Sequence, residues 1–466
     1  MSRYFIFATI AVSLLLYSSS MSSVSVAFMD ITTEFDSSLV IAGWVMSIFQ
    51  LASTIAMPLA GKAGDMFGSK LTFMIATLLF TVASFLSAIA PNIYLLILFR
   101  FLQAIGGGCF LPIASGIVAD IFPKARQRAI GLFSSILPVG QLLGPNVGGW
   151  MTETYGWRSL FWVYIPFGIV VLVAMAFLLA PGQKKEGHMD MTGAGLFAGS
   201  LFAFMGGLTG IKSLGSSSWV LCGVFILVGV VFVIAFVRHE KRAKNPILDL
   251  EVLRDRPFVA ANIYNFGIGA VTFGALSFVP LYAVSIYGMS TLQSGLILTP
   301  RAVGMAITSI IASMYIMRWG YRRPILIGTI FMIIALVLMG FELTSVDLMG
   351  IHLGSTALLL LIMLLIGVGS GLAIPAANNA CMELMPQRIA TITGVRGMFR
   401  QTGGAITIAA YSIVLEFSPQ MSTGFAITMI GMGIAVLLTV PMIYMMPSGP
   451  DATPYQIKAS SVRKTA

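Results

Sequence analysis

The sequence predicts an all-α membrane protein of about fourteen spanning helices, parsed as six, then two inserted, then six more. Three observations carry that prediction: apolar runs of membrane-crossing length, a one-sided distribution of basic residues, and an internal repeat. Of the 466 residues, 58% are hydrophobic and only 9% charged, whereas ordinary soluble domains carry about 25% charged residues. A soluble fold would have to cover that apolar surface. Lipid removes the need, and a helix of about twenty residues crosses the hydrocarbon core of ~30 Å.

The apolar runs lie at roughly 4–28, 40–60, 70–90, 93–117, 128–150, 159–180, 192–211 and 218–237, then 258–284, 294–317, 324–343, 354–378, 389–416 and 422–446. They are numbered below as spans 1 to 14. Each must be helical, because an isolated segment in lipid has to satisfy its own backbone hydrogen bonds. A β-barrel would show segments of about ten alternating residues instead. Span 1, with Arg3, an apolar run from Tyr4 to Tyr17 and a serine-rich end at Ser25-Val26-Ala27, has the outline of a secretory signal. A retained helix is expected, since the topology requires it.

With the N-terminus inside, the cytoplasmic connections collect Lys62, Lys70, Lys124, Arg126, Arg128, Lys184, Lys185, Arg238, Lys241, Arg242, Lys244, Arg254, Arg256, Arg318, Arg322, Arg323 and Arg388. The external ones hold only Arg158 and Lys212. That asymmetry follows the positive-inside rule and places both termini in the cytoplasm of a cell membrane. It also explains the net charge of +10 without nucleic acid.

Glycines and prolines recur at an offset of 263 residues: Gly106, Gly108 and Pro112 match Gly369, Gly371 and Pro375, and Gly131 and Gly140 match Gly394 and Gly403. Asp120 and Pro123 likewise match Glu383 and Pro386. A six-helix half needs about 180–200 residues with short loops, so the surplus is about two helices. The expected units are residues 1–183, a six-helix bundle; 184–240, two inserted helices; 241–257, a cytoplasmic linker; 258–446, the second bundle; and 447–466, a disordered tail. Parallel halves of this kind place a substrate site near the midplane between them.

Cys109, Cys222 and Cys381 all fall in apolar runs and read as packing residues. His188, His239 and His352 lack ligand spacing, so no metal and no cofactor is expected, and clustered catalytic chemistry is missing. No phosphate-binding loop of the GxxxxGK[ST] type appears, which leaves ATP-driven transport unsupported.

Three stretches and a scatter of polar residues carry more specific chemistry. Between spans 2 and 3, Gly61-Lys62-Ala63-Gly64-Asp65-Met66-Phe67-Gly68-Ser69-Lys70 combines glycines suited to a tight turn with a carboxylate for a helix N-terminus or basic group. In span 4, Arg100 stands about two turns deep with Gln103 one turn on, and an arginine at that depth normally faces a cavity or a partner. Span 5 reads Gly140-Gln141-Leu142-Leu143-Gly144-Pro145-Asn146-Val147-Gly148-Gly149, with Gly140, Gly144 and Gly148 on one face for close packing and Pro145 loosening the helix. Polar groups in other spans (Ser22, Ser25, Gln50, Asn262, Asn265, Asn378 and Asn379) suit a cavity, or equally well interhelical hydrogen bonds.

These stretches resemble the signature loop, the intramembrane arginine motif and the exporter glycine motif of the major facilitator superfamily. Trp44-Val45, Trp157-Arg158 with Phe161 and Pro166, Pro280-Leu281-Tyr282 and Arg400-Gln401 with Gly403 and Gly404 extend the resemblance to its fourteen-span drug:proton antiporters. The resemblance implies a gating role for Gly61, Gly64, Asp65, Gly68 and Lys70, proton coupling or substrate contact for Arg100 and Gln103, and outward transport from the span 5 motif. It implies a monomeric permease that exports drugs or small amphipathic molecules by alternating access, with protons as the coupling ion. A dedicated metabolite exporter, an uncoupled facilitator and a non-transporting membrane sensor are the alternatives.

One part of the family pattern is missing. Where an aspartate and an Asn-Val-Ala sequence are typical of span 1, this chain has Ser20-Met21-Ser22-Ser23-Val24-Ser25-Val26-Ala27. The acids lie in loops or near span ends, while the intramembrane charges are Arg100, Arg301, Arg396 and Arg400. A neutral, amphipathic or anionic substrate is therefore expected, and not a simple lipophilic cation.

Overall fold

A computed structural model describes residues 2–449 apart from 123–128, 130–131, 134–135, 180–189, 214–217, 244–253, 344, 349–350 and 385–388. Most of the expected linker, the tail from residue 450, Gly131 and Pro123 lie outside the described residues, as does the side chain of Asp65. The long helices are α1 (Ser2–Ser23), α2 (Leu39–Phe67), α3 (Ser69–Ala88), α4 (Ile93–Gly108, resumed as Phe110–Ile121), α5 (Ile136–Tyr155), α6 (Tyr164–Leu178, entered through Ser159–Trp162), α7 (Met191–Ser213) and α8 (Ser218–Glu240). They continue as α9 (Arg256–Gly269, then Val279–Tyr287 beyond a break), α10 (Thr291–Leu296 and Thr299–Trp319), α11 (Arg322–Gly340), α12 (Ser355–Glu383), α13 (Ile389–Phe417) and α14 (Met421–Leu437, then Val440–Met445).

Eleven of these are long and apolar enough to cross a membrane. The other three, α5, α7 and α13, have 20, 23 and 29 residues and lie in the same bundle. Glycines and polar residues lower the hydropathy of α5 and α13, and in α5 they form the face that packs on protein, from Gly140 to Thr152, while Val139, Leu143 and Val147 stay exposed. Lipid-facing positions are apolar and exposed instead, as at Leu78, Phe85, Ile310 and Leu437.

Two elements depart from the expected spans. Span 1 ends at Ser23, and a separate short helix, Phe28–Glu34, caps the bundle beyond it. Between α11 and α12 the chain forms a two-stranded antiparallel hairpin, β1 (Ser345–Leu348) and β2 (Ile351–Gly354). The connection expected at 61–70 also shrinks, because α2 runs on to Phe67 and the turn into α3 is Gly68 alone. Gly68 has φ of 91° and Gly320, between α10 and α11, has φ of 67°. A side chain would be strained at both positions, so a single glycine turns the chain at equivalent places in the two halves.

The repeat has a packing basis. A methyl group on Gly106 would lie 2.6 Å from Ala76 O of α3, and one on Gly369 would lie 2.6 Å from Gly328 O of α11. Gly108 sits against Ser53 of α2 and Gly371 against Met305 of α10, while Gly140 abuts Ser18 of α1 and Gly403 abuts Phe266 of α9. Matching glycines thus meet matching helices. Basic residues repeat as well: Lys70 Nζ donates to Ala176 O at 2.7 Å at the end of α6, and Arg322 Nη2 to Met446 O at 2.8 Å at the end of α14. Each caps carbonyls that the helix C-terminus leaves free.

Helices α7 and α8 pair as a hairpin, with Phe197 and Phe236 in ring contact at 5.4 Å. Leu201 and Met205 of α7 share a small core with Leu51 of α2 and with Ala405 and Ala409 of α13. The hairpin therefore lies along the seam between the two halves on one flank.

Candidate functional site

The two halves meet unequally. At the end that the charge pattern places outside, one continuous apolar core joins Val24, Phe28 and Val45 to Val271, Phe278 and Tyr411. Towards the opposite end the cores are separate among the described residues, one built on Leu14, Phe80 and Phe110, the other on Tyr264, Ile325 and Ile374. Polar contacts reinforce the joined end. The Leu39 N–H donates to Glu416 Oε2 at 2.8 Å, and Ser290 Oγ and the Leu292 N–H donate to Glu153 Oε2 at 2.8 and 2.7 Å. Thr299 Oγ1 donates to Asn146 Oδ1 at 2.8 Å. At the same end Arg158 pairs with Glu34 and stacks on Trp157, whose Nε1 donates to Glu34 at 2.5 Å. Burial opposes ionisation of Glu34, but these donors outweigh it and hold the carboxyl below its usual range.

The α5 motif explains how such close contact is possible. Gly144 presses on Ser19 and Ser22 of α1, and Gly148 on Ser23. Gly149 and the Pro145 carbonyl abut Thr291, Leu292 and Gly295 of α10. One helix therefore touches both halves through glycines and, at Pro145, through its backbone carbonyl. The serines of α1 complete the fit: Ser18 and Ser22 return their hydroxyls to carbonyls of their own helix, and Ser19 Oγ donates to Gly140 O at 3.1 Å.

Under the joined end lies a cavity of about 40 Å³. Ser22, Ser25 and Gln50 line it from the first half, and Thr272, Ser277 and Arg301 from the second. Its far wall is the break in α9, where a π-turn over Ala270–Gly274 and a 3₁₀ turn over Ala275–Phe278 interrupt the α-helix. Such breaks release backbone groups, and the Phe273 carbonyl accepts from Gln50 Nε2 at 3.0 Å across the halves.

Arg100 and Gln103 sit elsewhere. Both are fully buried. Arg100 Nη1 donates to Ser20 Oγ at 2.9 Å and Gln103 Oε1 at 2.6 Å, Nη2 to Ser20 O at 3.2 Å, and Nε to Val45 O at 3.3 Å. Its guanidinium lies 4.1 Å from the Phe49 ring centroid, and Gln103 Nε2 donates to Ser84 at 2.7 Å. Ser20, at the position where the family pattern expects acidity nearby, thus accepts from the arginine through both its hydroxyl and its carbonyl. No carboxylate takes part.

Of the residues singled out in the sequence, Ser22, Ser25 and Gln50 come together at the cavity. Asn262 and Asn265 return their amides to Phe258 O and Ala261 O, each at 2.9 Å, and Asn378 accepts from Arg396 through its carbonyl. Neither these nor Asn379 line the cavity. Gly61 and Gly64 lie inside α2, Gly61 with open space around it and Gly64 in ordinary contact with Ile113. Sequence reading did not place Gln141, Thr272 and Ser277 at the site, and it named Arg301 only as an intramembrane charge. The available signal was the pairing of mid-span polar residues with Gly269 and Gly274, which mark the break in α9.

The family profile described as Major Facilitator Superfamily matches residues 9–191 and 189–408. The multidrug transporter protein MdtP of Bacillus subtilis (strain 168) is 31% identical over 378 residues, covering 80% of this chain and 68% of that protein. A multidrug resistance protein B homolog of Mycobacterium tuberculosis (strain ATCC 25618 / H37Rv) is 29% identical over 399 residues, covering 84% and 73%. Among solved structures, a D-xylose-proton symporter superposes with a TM-score of 0.67 at 14% identity, covering 97% of this chain and 98% of that one.

Proposed function

Because the chain belongs to the major facilitator superfamily, we propose that it exports drugs or other small amphipathic molecules across a cell membrane by alternating access. The observation that carries this reading is the joined core at one end, the separate cores at the other, and the polar cavity at the junction. A transporter of this build exposes one central site to each side in turn as its halves rock. With both termini cytoplasmic, as the basic residues suggest, the arrangement is closed outside and accepts substrate from within.

In this reading residues 1–183 and 258–446 are the moving bundles and 184–240 an inserted pair, in a monomer. Gly61, Gly64, Asp65, Gly68 and Lys70 serve the cytoplasmic gate, and the span 5 glycines form the sliding contact between halves. Arg100 and Gln103 position α1, α2 and α4 around the cavity. Protons are the coupling ion by resemblance; the relatives' names, multidrug transporter and multidrug resistance, support the substrate class. The acids lie at helix ends or in connections, so a proton-coupled cycle would run through groups such as Glu153 and Glu416, which bridge the joined end.

The test is flux in proteoliposomes, with N-phenyl-1-naphthylamine as a neutral amphipathic probe. Probe movement driven by an imposed ΔpH, with matching proton flux and about tenfold loss in Asp65→Asn, is the expected result. Movement down a probe gradient that ignores ΔpH removes antiport and leaves a facilitator. No movement under any gradient removes the export reading.

A further inference from the structure

We propose that the central cavity is a site for an organic anion, with Arg301 and Arg400 holding the acidic group of an amphipathic substrate beside the Phe273 ring. This deepens the export reading and rests on it for the direction of transport, but not for binding.

The arginines in the spans divide into two kinds. Arg100 has all three guanidinium nitrogens bonded and a ring beneath it; it is a finished structural group. Arg301 and Arg400 are not finished. The Nε of each is buried without a hydrogen-bond partner, and among the described residues no carboxylate pairs with either. Arg301 stands ten residues into α10 and Arg400 eleven into α13, about 15 and 17 Å along their helices. Both therefore lie inside their spans and away from the ends, where an unpaired cation is costly and marks a functional pathway.

Their placement is convergent. Arg301 and Phe273 both line the cavity. Arg400 holds its guanidinium 4.8 Å from the centroid of that same Phe273 ring, and it lies within electrostatic reach of Arg301 and Arg396. Thr272 Oγ1, also at the cavity, is buried without a partner and can donate. Two adjacent cations, with a third on the same helix, would ordinarily be neutralised by acids. Here the acids sit at helix ends or in connections, and span 1 offers serines. The missing negative charge is the substrate's.

A carboxylate or sulfonate on an aromatic body fits this set. Its oxygens accept from the two guanidinium forks, its ring packs on Phe273, and Thr272 supplies a hydroxyl donor. A lipophilic cation meets uncompensated like charge, which excludes it.

The matched probes are naphthalene-2-sulfonate, naphthalene-2-sulfonamide and 2-naphthyltrimethylammonium, which share one apolar body and differ in charge. Binding to the detergent-purified full chain is read by thermal shift and by competition. The wild type is expected to bind the sulfonate at least tenfold more tightly than the sulfonamide and the ammonium ion least. Arg301→Gln and Arg400→Gln should each remove most of that preference, with Arg→Lys at either site retaining part of it. Equal or tighter binding of the ammonium ion by the wild type, which needs no variant to fold, overturns the proposal. So does a sulfonate preference that survives both Gln variants. Proteoliposome counterflow of the sulfonate separates the two readings: bound but untransported sulfonate sinks export and keeps the site, whereas transported sulfonamide without sulfonate preference sinks the site and keeps export.

Discussion

At the scale of single residues, the buried cations make opposite forecasts. Truncating Arg100 strands Gln103 Oε1 and removes two donors from Ser20, and a buried group left unpaired costs ~1–3 kcal/mol. Arg301 has no such dependants on its side chain, so its removal costs folding little and relieves like charge. Arg100→Ala should therefore lower the melting temperature of the detergent-solubilised protein by several degrees, while Arg301→Ala leaves it level or raises it. A larger fall in Arg301→Ala would contradict the division between a finished and an open arginine. This division was not legible in the sequence, where both appear as one arginine in an apolar run. What separates them is the set of groups that the fold brings alongside, and those come from other helices.

At the scale of helices, the glycines differ by what faces them. A side chain at Gly144 would collide with Ser22 Oγ and lie 2.7 Å from Ser19 O, whereas Gly61 has nothing within 4 Å. Overpacking against backbone costs about 1–3 kcal/mol, and replacing an unconstrained helical glycine with alanine gains ~1 kcal/mol. Gly144→Val should reduce both thermal stability and transport, and Gly61→Ala should leave stability unchanged or slightly higher, as measured by unfolding and dye flux. Spans were legible because lipid enforces both length and helicity, so α3, α11 and α12 fall close to their apolar runs. Their ends were less so: α2 continues through Gly61 and Gly64 because neither faces a constraint that would stop a helix. The break in α9 was hidden for a different reason. Its residues are as apolar as their neighbours, and the irregular turns exist only where α13 packs against Gly269 and Gly274.

At the scale of the molecule, the repeat was readable because the same glycines meet the same helices in both halves. Which end is closed was not, since one sequence must serve both states and no residue pattern records the population of either. The joined end can be tested directly. With Cys109, Cys222 and Cys381 replaced, Glu153→Cys and Ser290→Cys should be linked through two disulfides by a short bis-methanethiosulfonate in the absence of substrate. The linked protein should stop transporting, and reduction should restore it. Efficient transport by the linked protein would show that the Glu153–Ser290 contact does not open in the cycle.

The α7–α8 hairpin has a consequence for traffic between bilayer and cavity. Two packed bundles have two lateral seams, one along α2 and α13, the other along α5 and α10. Leu201 and Met205 occupy the first, which leaves the second as the flank that meets lipid chains directly. To the surrounding membrane the transporter is thus one-sided: a molecule dissolved in the hydrocarbon meets the exposed apolar face of α5 at Val139, Leu143 and Val147 on one flank, and on the opposite flank it meets a wall of helices.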